Sequence, residues 1–247
     1  MAPADAAPAG CLITRPEPGA TETAARVAAL GWHPVLAPAL VLQPRPGALP
    51  RAQAVLLTSR AAARALAGQL DGRTVLAVGE ATAAAAREGG AAWVLAAGGD
   101  AAALCELAAA QLDPAAGPLL LAVGEGYATD LAAALRGRGF RVIRRVAYAA
   151  HPAPSLPDGA RAALSTGGLR AALFTSPRSA AHAVRLLRDG GGQDAATAID
   201  ALALSGRVAS VLAGLPWRSV RIAARPDQDA LLALLGPAHL EGSVAVS

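Results

Sequence analysis

Two short stretches of the chain set hydroxyl and guanidinium groups in the same order. "LLTSRAAARALAG" runs from Leu56 to Gly68, and "LFTSPRSAAHAVR" from Leu173 to Arg185. Each reads as an apolar strand, a Thr-Ser corner, an Arg and an Ala-rich helix. The groups at these corners are Ser59 with Arg60 and Ser176 with Arg178. A Ser at such a point caps the helix that follows, and the exposed N–H groups of the first turn suit an anion. One copy alone reads as a plain cap. Two copies bring in a second reading, a pair of ligand-binding corners. Gly79-Glu80-Ala81-Thr82 is a further corner of the kind strand, Gly, helix. Tyr148, in "VAYAA", is one of two tyrosines. Its phenol can donate a proton, against the ordinary reading of an aromatic that packs a connector.

Other catalytic constellations are scarce. His33, His151, His182 and His239 stand apart, with no metal-ligand spacing. Cys11 and Cys105 show no pairing signature and read as free thiols of a reducing compartment. Gly124 and Gly126 begin a G-x-G-x-x-G pattern, but Thr129 holds the third position, so a dinucleotide site is poorly supported. A phosphate loop of the G-x-x-x-x-G-K-[ST] type needs a Lys, and the chain has none. No G-x-S-x-G elbow occurs. Glu22, Asp100, Asp130 and Asp227 sit at helix starts, where the helix dipole accounts for them. No metal and no cofactor are expected.

The elements that carry these residues alternate. Apolar runs near Leu12–Thr14, Val35–Ala37, Ala54–Leu57, Val75–Val78, Trp93–Ala96, Leu119–Ala122, Val142–Ala147, Ala171–Phe174, Ala201–Leu204 and Val220–Ala223 read as strands. Helical patterns lie between most of them, among them Thr21–Leu30, Arg60–Leu70, Ala81–Glu88, Ala101–Leu112, Thr129–Arg138, Arg178–Asp189, Val208–Ala213 and Gln228–Leu235. The alternation predicts an α/β fold of doubly wound parallel sheets, two of them, with four or five strands each. The order of corners is repeated. "AVGEATAAA" from Ala77 resembles "ALSGRVASV" from Ala203. Asp100, Leu104 and Leu107 match Asp227, Leu231 and Leu234 at one constant offset, and "TETAARVAALGWHPV" from Thr21 lines up with "TDLAAALRGRGFRVI" from Thr129. This predicts two similar domains. Pro-rich extended connectors at Pro38–Pro50 and Arg144–Gly159 predict a two-stranded hinge between them.

Bulk properties narrow the class. The 247 residues are 54% hydrophobic, much of it Ala, and only 3% aromatic, so an aliphatic core is expected. The net charge is +4, and all 22 basic residues are Arg, spread along the chain. A nucleic-acid binder would show a basic stripe with stacking aromatics. A small anionic ligand suits the pattern better, because the guanidinium fork matches carboxylate and phosphate. The Arg, Ala, Gly and Pro richness also reads as that of a GC-rich genome. No window resembles a membrane span, and "MAPADAAPAG" reads as a tail rather than a signal peptide. A cytoplasmic monomer without nucleic-acid or membrane partners is expected.

In their order, "ITRP", "LTSRAAARAL", "AVGEATAAAAREGG", "LRGRGFRVIRRVAYAA", "FTSPRSAAHAV" and "VRIAARPDQDALLALL" resemble the uroporphyrinogen-III synthase family, over about Cys11 to Leu235. The resemblance implies a cofactor-free lyase of tetrapyrrole synthesis. It would cyclise linear hydroxymethylbilane to uroporphyrinogen III, lose water and invert the last pyrrole ring. It implies a discontinuous domain of 1–38 plus 152–247, an inserted domain of 39–151, and connectors near 38–44 and 145–152. By motif, the substrate-binding candidates are Arg15, Ser59, Arg60, Gly79, Thr82, Ser176, Arg178 and Ser205, lining a cleft between two domains. Tyr148 matches the Tyr proposed as proton donor in the family. The bilane also closes spontaneously to isomer I, so the enzyme's task is chiefly to fold the chain and exclude that path. One departure stands out: "LSGRVASVL" has Val208 or Ala209 where many members have Thr, leaving Ser205 or Ser210 for a hydroxyl contact. The competing readings are a non-catalytic two-domain binding protein for an anionic small molecule and a nucleotide-dependent transferase. The absent phosphate loop counts against the latter.

Overall fold

The computed structural model describes residues 8–125 and 128–238; Gly126 and His239 lie outside them. The strands are β1 (Gly10–Ile13), β2 (His33–Leu36), β3 (Leu40–Pro44), β4 (Ala54–Leu57), β5 (Thr74–Ala77), β6 (Trp93–Ala96), β7 (Leu119–Gly124), β8 (Val142–Pro152), β9 (Leu169–Phe174), β10 (Asp200–Ala203) and β11 (Ser219–Ile222). The helices are α1 (Gly19–Ala29), α2 (Arg60–Ala65), α3 (Glu80–Glu88), α4 (Ala101–Gln111), α5 (Thr129–Gly137), α6 (Asp158–Ser165), α7 (Pro177–Asp189), α8 (Gln193–Ala196), α9 (Gly206–Ala209) and α10 (Gln228–Leu235). The chain divides into two compact units. One is the stretch up to Val41 together with that from Pro152 onward; the other is Leu42–His151.

The first unit holds a five-stranded sheet in the order β11-β10-β9-β1-β2, parallel throughout. The second holds a six-stranded sheet in the order β3-β8-β7-β4-β5-β6. Its strands β8, β7, β4, β5 and β6 run parallel. At the β3 edge, Arg45 N donates to Ala147 O at 2.8 Å and Ala153 N to Ala39 O at 2.9 Å. Residue numbers rise on one strand as they fall on the other, so this pair is antiparallel.

The apolar runs explain the layers. β1, β4 and β7 are buried along their whole length, as central parallel strands covered on both faces must be. Period-two alternation sends their side chains to opposite faces. In the first unit, Leu12, Ala172 and Phe174 pack with α6 and α7, while Cys11, Ile13 and Leu173 pack with α1 and α10. In the second, Leu56, Leu119 and Leu121 pack with α4 and α5, while Val55, Leu57 and Leu120 pack with α2 and α3. Each sheet is therefore wound on both faces.

The structure corrects several expectations. The second sheet has six strands rather than four or five. The extra one is β3, within the Pro-rich connector; Pro44 ends it at the sheet edge, where a missing N–H breaks no ladder. β8 runs on past Ala147 to Pro152. The predicted helix over Arg60–Leu70 stops at Ala65, because Gly68 adopts φ +75° and turns the chain. The stretch at α6 follows Pro157, and its helix is masked in the sequence by prolines that read as connector.

Candidate functional site

The strand orders place a topological switch in each sheet. From β1 the chain moves outward to β2, and from β9 it moves the opposite way to β10 and β11. The switch therefore lies between β1 and β9. In the other sheet it lies between β7 and β4. Ligands in open α/β sheets bind beyond the carboxyl ends of the strands at such points. Both Thr-Ser corners sit there: Ser59 follows β4 and Ser176 follows β9. Gly79, Thr82 and Ser205 follow the next strands out, β5 and β10, and Arg15 follows β1.

In the second unit, Ser59 is extended (φ −163°), and its Oγ accepts the Ala62 N–H at 3.1 Å, capping α2. The same oxygen stands 3.4 Å from the Tyr148 hydroxyl. Tyr148 pairs with Gly124, the last residue of β7, across a register shift between Val123 and Gly124. A Cβ on Gly124 would stand 2.7 Å from both Oη and Cζ of Tyr148, so the phenol lies on the space that the glycine leaves. Glu125 N donates to Tyr148 O at 3.2 Å. Arg45 and Glu125 form an ion pair at 2.7 Å, both about half exposed. Gly79 caps α3 by backbone alone, with Gly99 Cα 3.2 Å from where its Cβ would be. Thr82 is buried on α3, and Arg60 is half-buried.

In the first unit, Ser176 Oγ accepts the Ser179 N–H at 3.2 Å and caps α7. Thr14 Oγ1 donates to Leu173 O at 2.7 Å, and Ser179 Oγ donates to Thr14 O at 2.9 Å. These buried bonds lock β1, β9 and α7 together at the switch. Arg15 Nη1 donates to Thr23 Oγ1 and Gln228 Oε1, each at 3.2 Å, and Gln228 Nε2 donates to Thr23 Oγ1 at 2.9 Å. The guanidinium lies over Gly19, whose Cβ would stand 2.4 Å from Nε and Nη2. Arg178 is exposed in the first turn of α7. Ser205 heads α9, and its carbonyl accepts the Val208 and Ala209 N–H groups at 3.0 Å, but its hydroxyl accepts no hydrogen bond from the helix. Val208 stands at the position that Thr82 holds in the other repeat and is buried, and the Ser210 hydroxyl turns back to Arg207 O at 3.0 Å.

Of the residues singled out from sequence, Ser59 and Tyr148 are brought into direct contact. Gly124 and Glu125, which contact Tyr148, and Thr23 and Gln228, which hold Arg15, are not singled out by the sequence. Gly124 shows there only as the start of a failed dinucleotide motif, and the others act over long sequence separations that no local pattern marks. The groups outside the corners read as structural. His182 is buried, with Nε2 2.9 Å from Ala153 O and Arg185 Nη2 2.9 Å from Nδ1; the arginine donates, so Nε2 carries the proton. Burial pushes the Cys11 thiol up to about 12, so it stays protonated and unreactive. Hydrogen bonding to Arg218 holds Asp200 below the usual carboxylate range, with Ser219 adding to it, at the start of β10 away from the corners. A hollow of about 400 Å³ lies between the C-terminal part of α1 and the length of α10, lined among others by Leu30, Asp229 and Leu232. Among the described residues, no group of His, Cys, Asp and Glu could hold a metal, and no helix is long and apolar enough to cross a membrane.

Residues 21–233 match the family model described as Uroporphyrinogen-III synthase HemD. No curated protein matches the sequence significantly. Uroporphyrinogen-III synthetase from Helicobacter pylori 26695 is similar in structure, with a TM-score of 0.55 and 16% identity over 92% of this chain and 98% of that one. A mutant uroporphyrinogen III synthase from Thermus thermophilus aligns with a TM-score of 0.42 and 22% identity, covering 92% and 97% of the two chains. The Helicobacter pylori structure shares the fold, and the family match spans most of the sequence. The chain belongs to the uroporphyrinogen-III synthase family, cyclising lyases of tetrapyrrole biosynthesis.

Proposed function

We propose that this chain cyclises hydroxymethylbilane to uroporphyrinogen III, with Tyr148 as the acid that protonates the departing hydroxyl. The observation that carries the reading is the phenol of Tyr148, 3.4 Å from Ser59 Oγ at the switch point of the second sheet. Ser59 Oγ already accepts the Ala62 N–H, so its own proton is left to point at the phenol oxygen. As Tyr148 gives up its proton, Ser59 can donate to the phenolate. The C–O bond of the terminal hydroxymethyl group then breaks, water leaves, and an electrophilic azafulvene remains. The substituted α-carbon of the last pyrrole ring attacks it, the bond from that carbon to its own bridging methylene breaks, and that methylene re-bonds to the ring's unsubstituted α-carbon, which inverts the ring. The proton lost from this second carbon restores the phenol, so the balance is one water released.

The remaining candidates bind and orient. Arg15, held by Thr23 and Gln228, offers a fixed cation for substrate carboxylates. Arg60 and Arg178 add charge beside the helix starts at Ser59 and Ser176, and Ser205 supplies a hydroxyl that its own helix does not use. Gly79 and Thr82 shape the corner after β5. Holding the bilane with its last ring inverted is the larger part of the task, since unguided closure gives isomer I. We read the antiparallel pair β3 and β8, in which the chain passes between its two units, as a two-stranded linker between similar domains. The two free, buried cysteines favour a cytoplasmic setting.

The test generates hydroxymethylbilane in situ, adds purified protein, oxidises the products and separates the porphyrin isomers. Isomer III above the no-enzyme control is expected. Isomer I alone from a folded sample would overturn the reading and favour a binding protein. Tyr148→Phe should lower kcat about 100-fold or more with little change in KM, the loss typical of a removed general acid. Unchanged turnover would remove Tyr148 from the chemistry.

A further inference from the structure

We propose that Gly124 is a positioning residue for the reaction: the space of its missing side chain holds the Tyr148 phenol against the Ser59 hydroxyl. The inference rests on the reading of Tyr148 as the acid. Gly124 ends a fully buried strand and pairs with Tyr148 across a register shift. A Cβ there would approach Oη and Cζ to 2.7 Å and Cε2 to 3.0 Å. All three atoms belong to the far end of the phenol, so the ring end must swing by roughly an ångström to clear an added Cβ, which carries the hydroxyl off its 3.4 Å contact with Ser59. Gly124 is not among the glycines of positive φ. An Ala therefore fits the backbone here, and glycine is needed for the ring above it rather than for the chain.

The backbone under the ring is held from both sides. Glu125 N donates to Tyr148 O at 3.2 Å, and Arg45 N donates to Ala147 O at 2.8 Å. The Arg45–Glu125 ion pair at 2.7 Å closes across the strand between them. With the main chain of Tyr148 fixed, the ring's direction depends on what it rests on. At Gly124 it rests on bare backbone, and the hydroxyl reaches Ser59. General-acid catalysis is steep in distance, because a donor must come within hydrogen-bond reach of the proton's destination.

Gly124→Ala should lower kcat for isomer III by about 10- to 100-fold, a part of what a lost general acid costs. KM should stay within about twofold and the far-UV circular dichroism should be unchanged, the pattern of an interaction lost only in the transition state. In a Tyr148→Phe background, the same substitution should change kcat by less than about twofold, since residues acting as a unit are not additive. Gly124→Ala with wild-type kcat, or with an equal loss in both backgrounds, overturns the proposal. If Tyr148→Phe alone keeps full turnover, it is the assignment of the acid that fails. If Gly124→Ala does not fold, Gly124→Ala/Tyr148→Ala should, because the clashing ring is gone; failure of that double variant to fold also overturns the proposal.

Discussion

Ser59, Ser176 and Ser205 head three helices at the carboxyl ends of strands, yet their hydroxyls are not in the same position chemically. The first two accept an N–H of their own helix, and the third accepts none. Loss of a capping hydroxyl costs about 1 kcal/mol. Ser59→Ala and Ser176→Ala should each lower the unfolding free energy by about that much in urea titrations. Ser205→Ala should stay within about 0.5 kcal/mol of the parent, as an uncapped surface change does, while raising KM severalfold if its hydroxyl meets the substrate. Equal destabilisation by all three would show that Ser205 does cap in solution. The two capped corners are legible because an N-cap has a local signature, a Ser or Thr just ahead of a helical pattern. Gly124 is not, since its role is to leave space for a ring that follows it by many residues. Arg15 is found by motif, but its support by Thr23 and Gln228 depends on α1 and α10 packing on one sheet face.

At the scale of elements, burial separates strands that look alike in sequence. β7 and β11 both carry an apolar run, but β7 is buried throughout and β11 is an edge strand, with Val220 45% and Ile222 50% exposed. Leu120 is fully buried against α2 and α3. Leu120→Ala should therefore cost about 3 kcal/mol, and Val220→Ala no more than about 0.5 kcal/mol. Denaturant midpoints at an unchanged slope check both; similar losses would mean that β11 is covered in solution. The placement of ten strands is readable because central parallel strands are short unbroken apolar runs. β3 is anticipated only as an extended connector; its place in the sheet escapes because its prolines hide a strand, and proline is tolerated at a sheet edge. The early end of α2 escapes because a left-handed Gly68 is a backbone event inside an otherwise helical Ala-rich pattern.

At the scale of the whole molecule, the repeat seen in sequence becomes two sheets with one strand order. β2-β1-β9-β10-β11 corresponds to β8-β7-β4-β5-β6, and the helices fall on matching faces. The unit formed by the two ends of the chain takes β1 and β2 first, whereas the inserted one takes β7 and β8 last. This is why the point where the sequence repeat begins again is not the boundary between units. The stability of such a chain also has a pH range set by its few perturbed groups. Asp200 has a folded pKa below its ordinary value of 3.8, through Arg218 first. Its contribution is present above that ordinary value and is lost as pH falls through the depressed one. Cys11 has a folded pKa raised from 9.0 to about 12 by burial. Its thiol is held neutral in the fold but ionises freely in the unfolded chain, so stability is fully present below 9.0 and declines as pH rises from there toward 12. Thermal unfolding should thus give a Tm that is level from weakly acidic to weakly alkaline pH and falls above about pH 9. The Asp200 side chain is 19% exposed, but its partner Arg218 is 53% exposed, so the acid limb should be shallow and weaken further in salt. Cys11→Ala removes the alkaline group at the cost of a small cavity; its Tm should start lower but fall less between about pH 9 and 11. An alkaline limb as steep in Cys11→Ala as in the parent would show that other groups govern it, and that the β1 thiol does not feel the burial its place between β2 and β9 imposes.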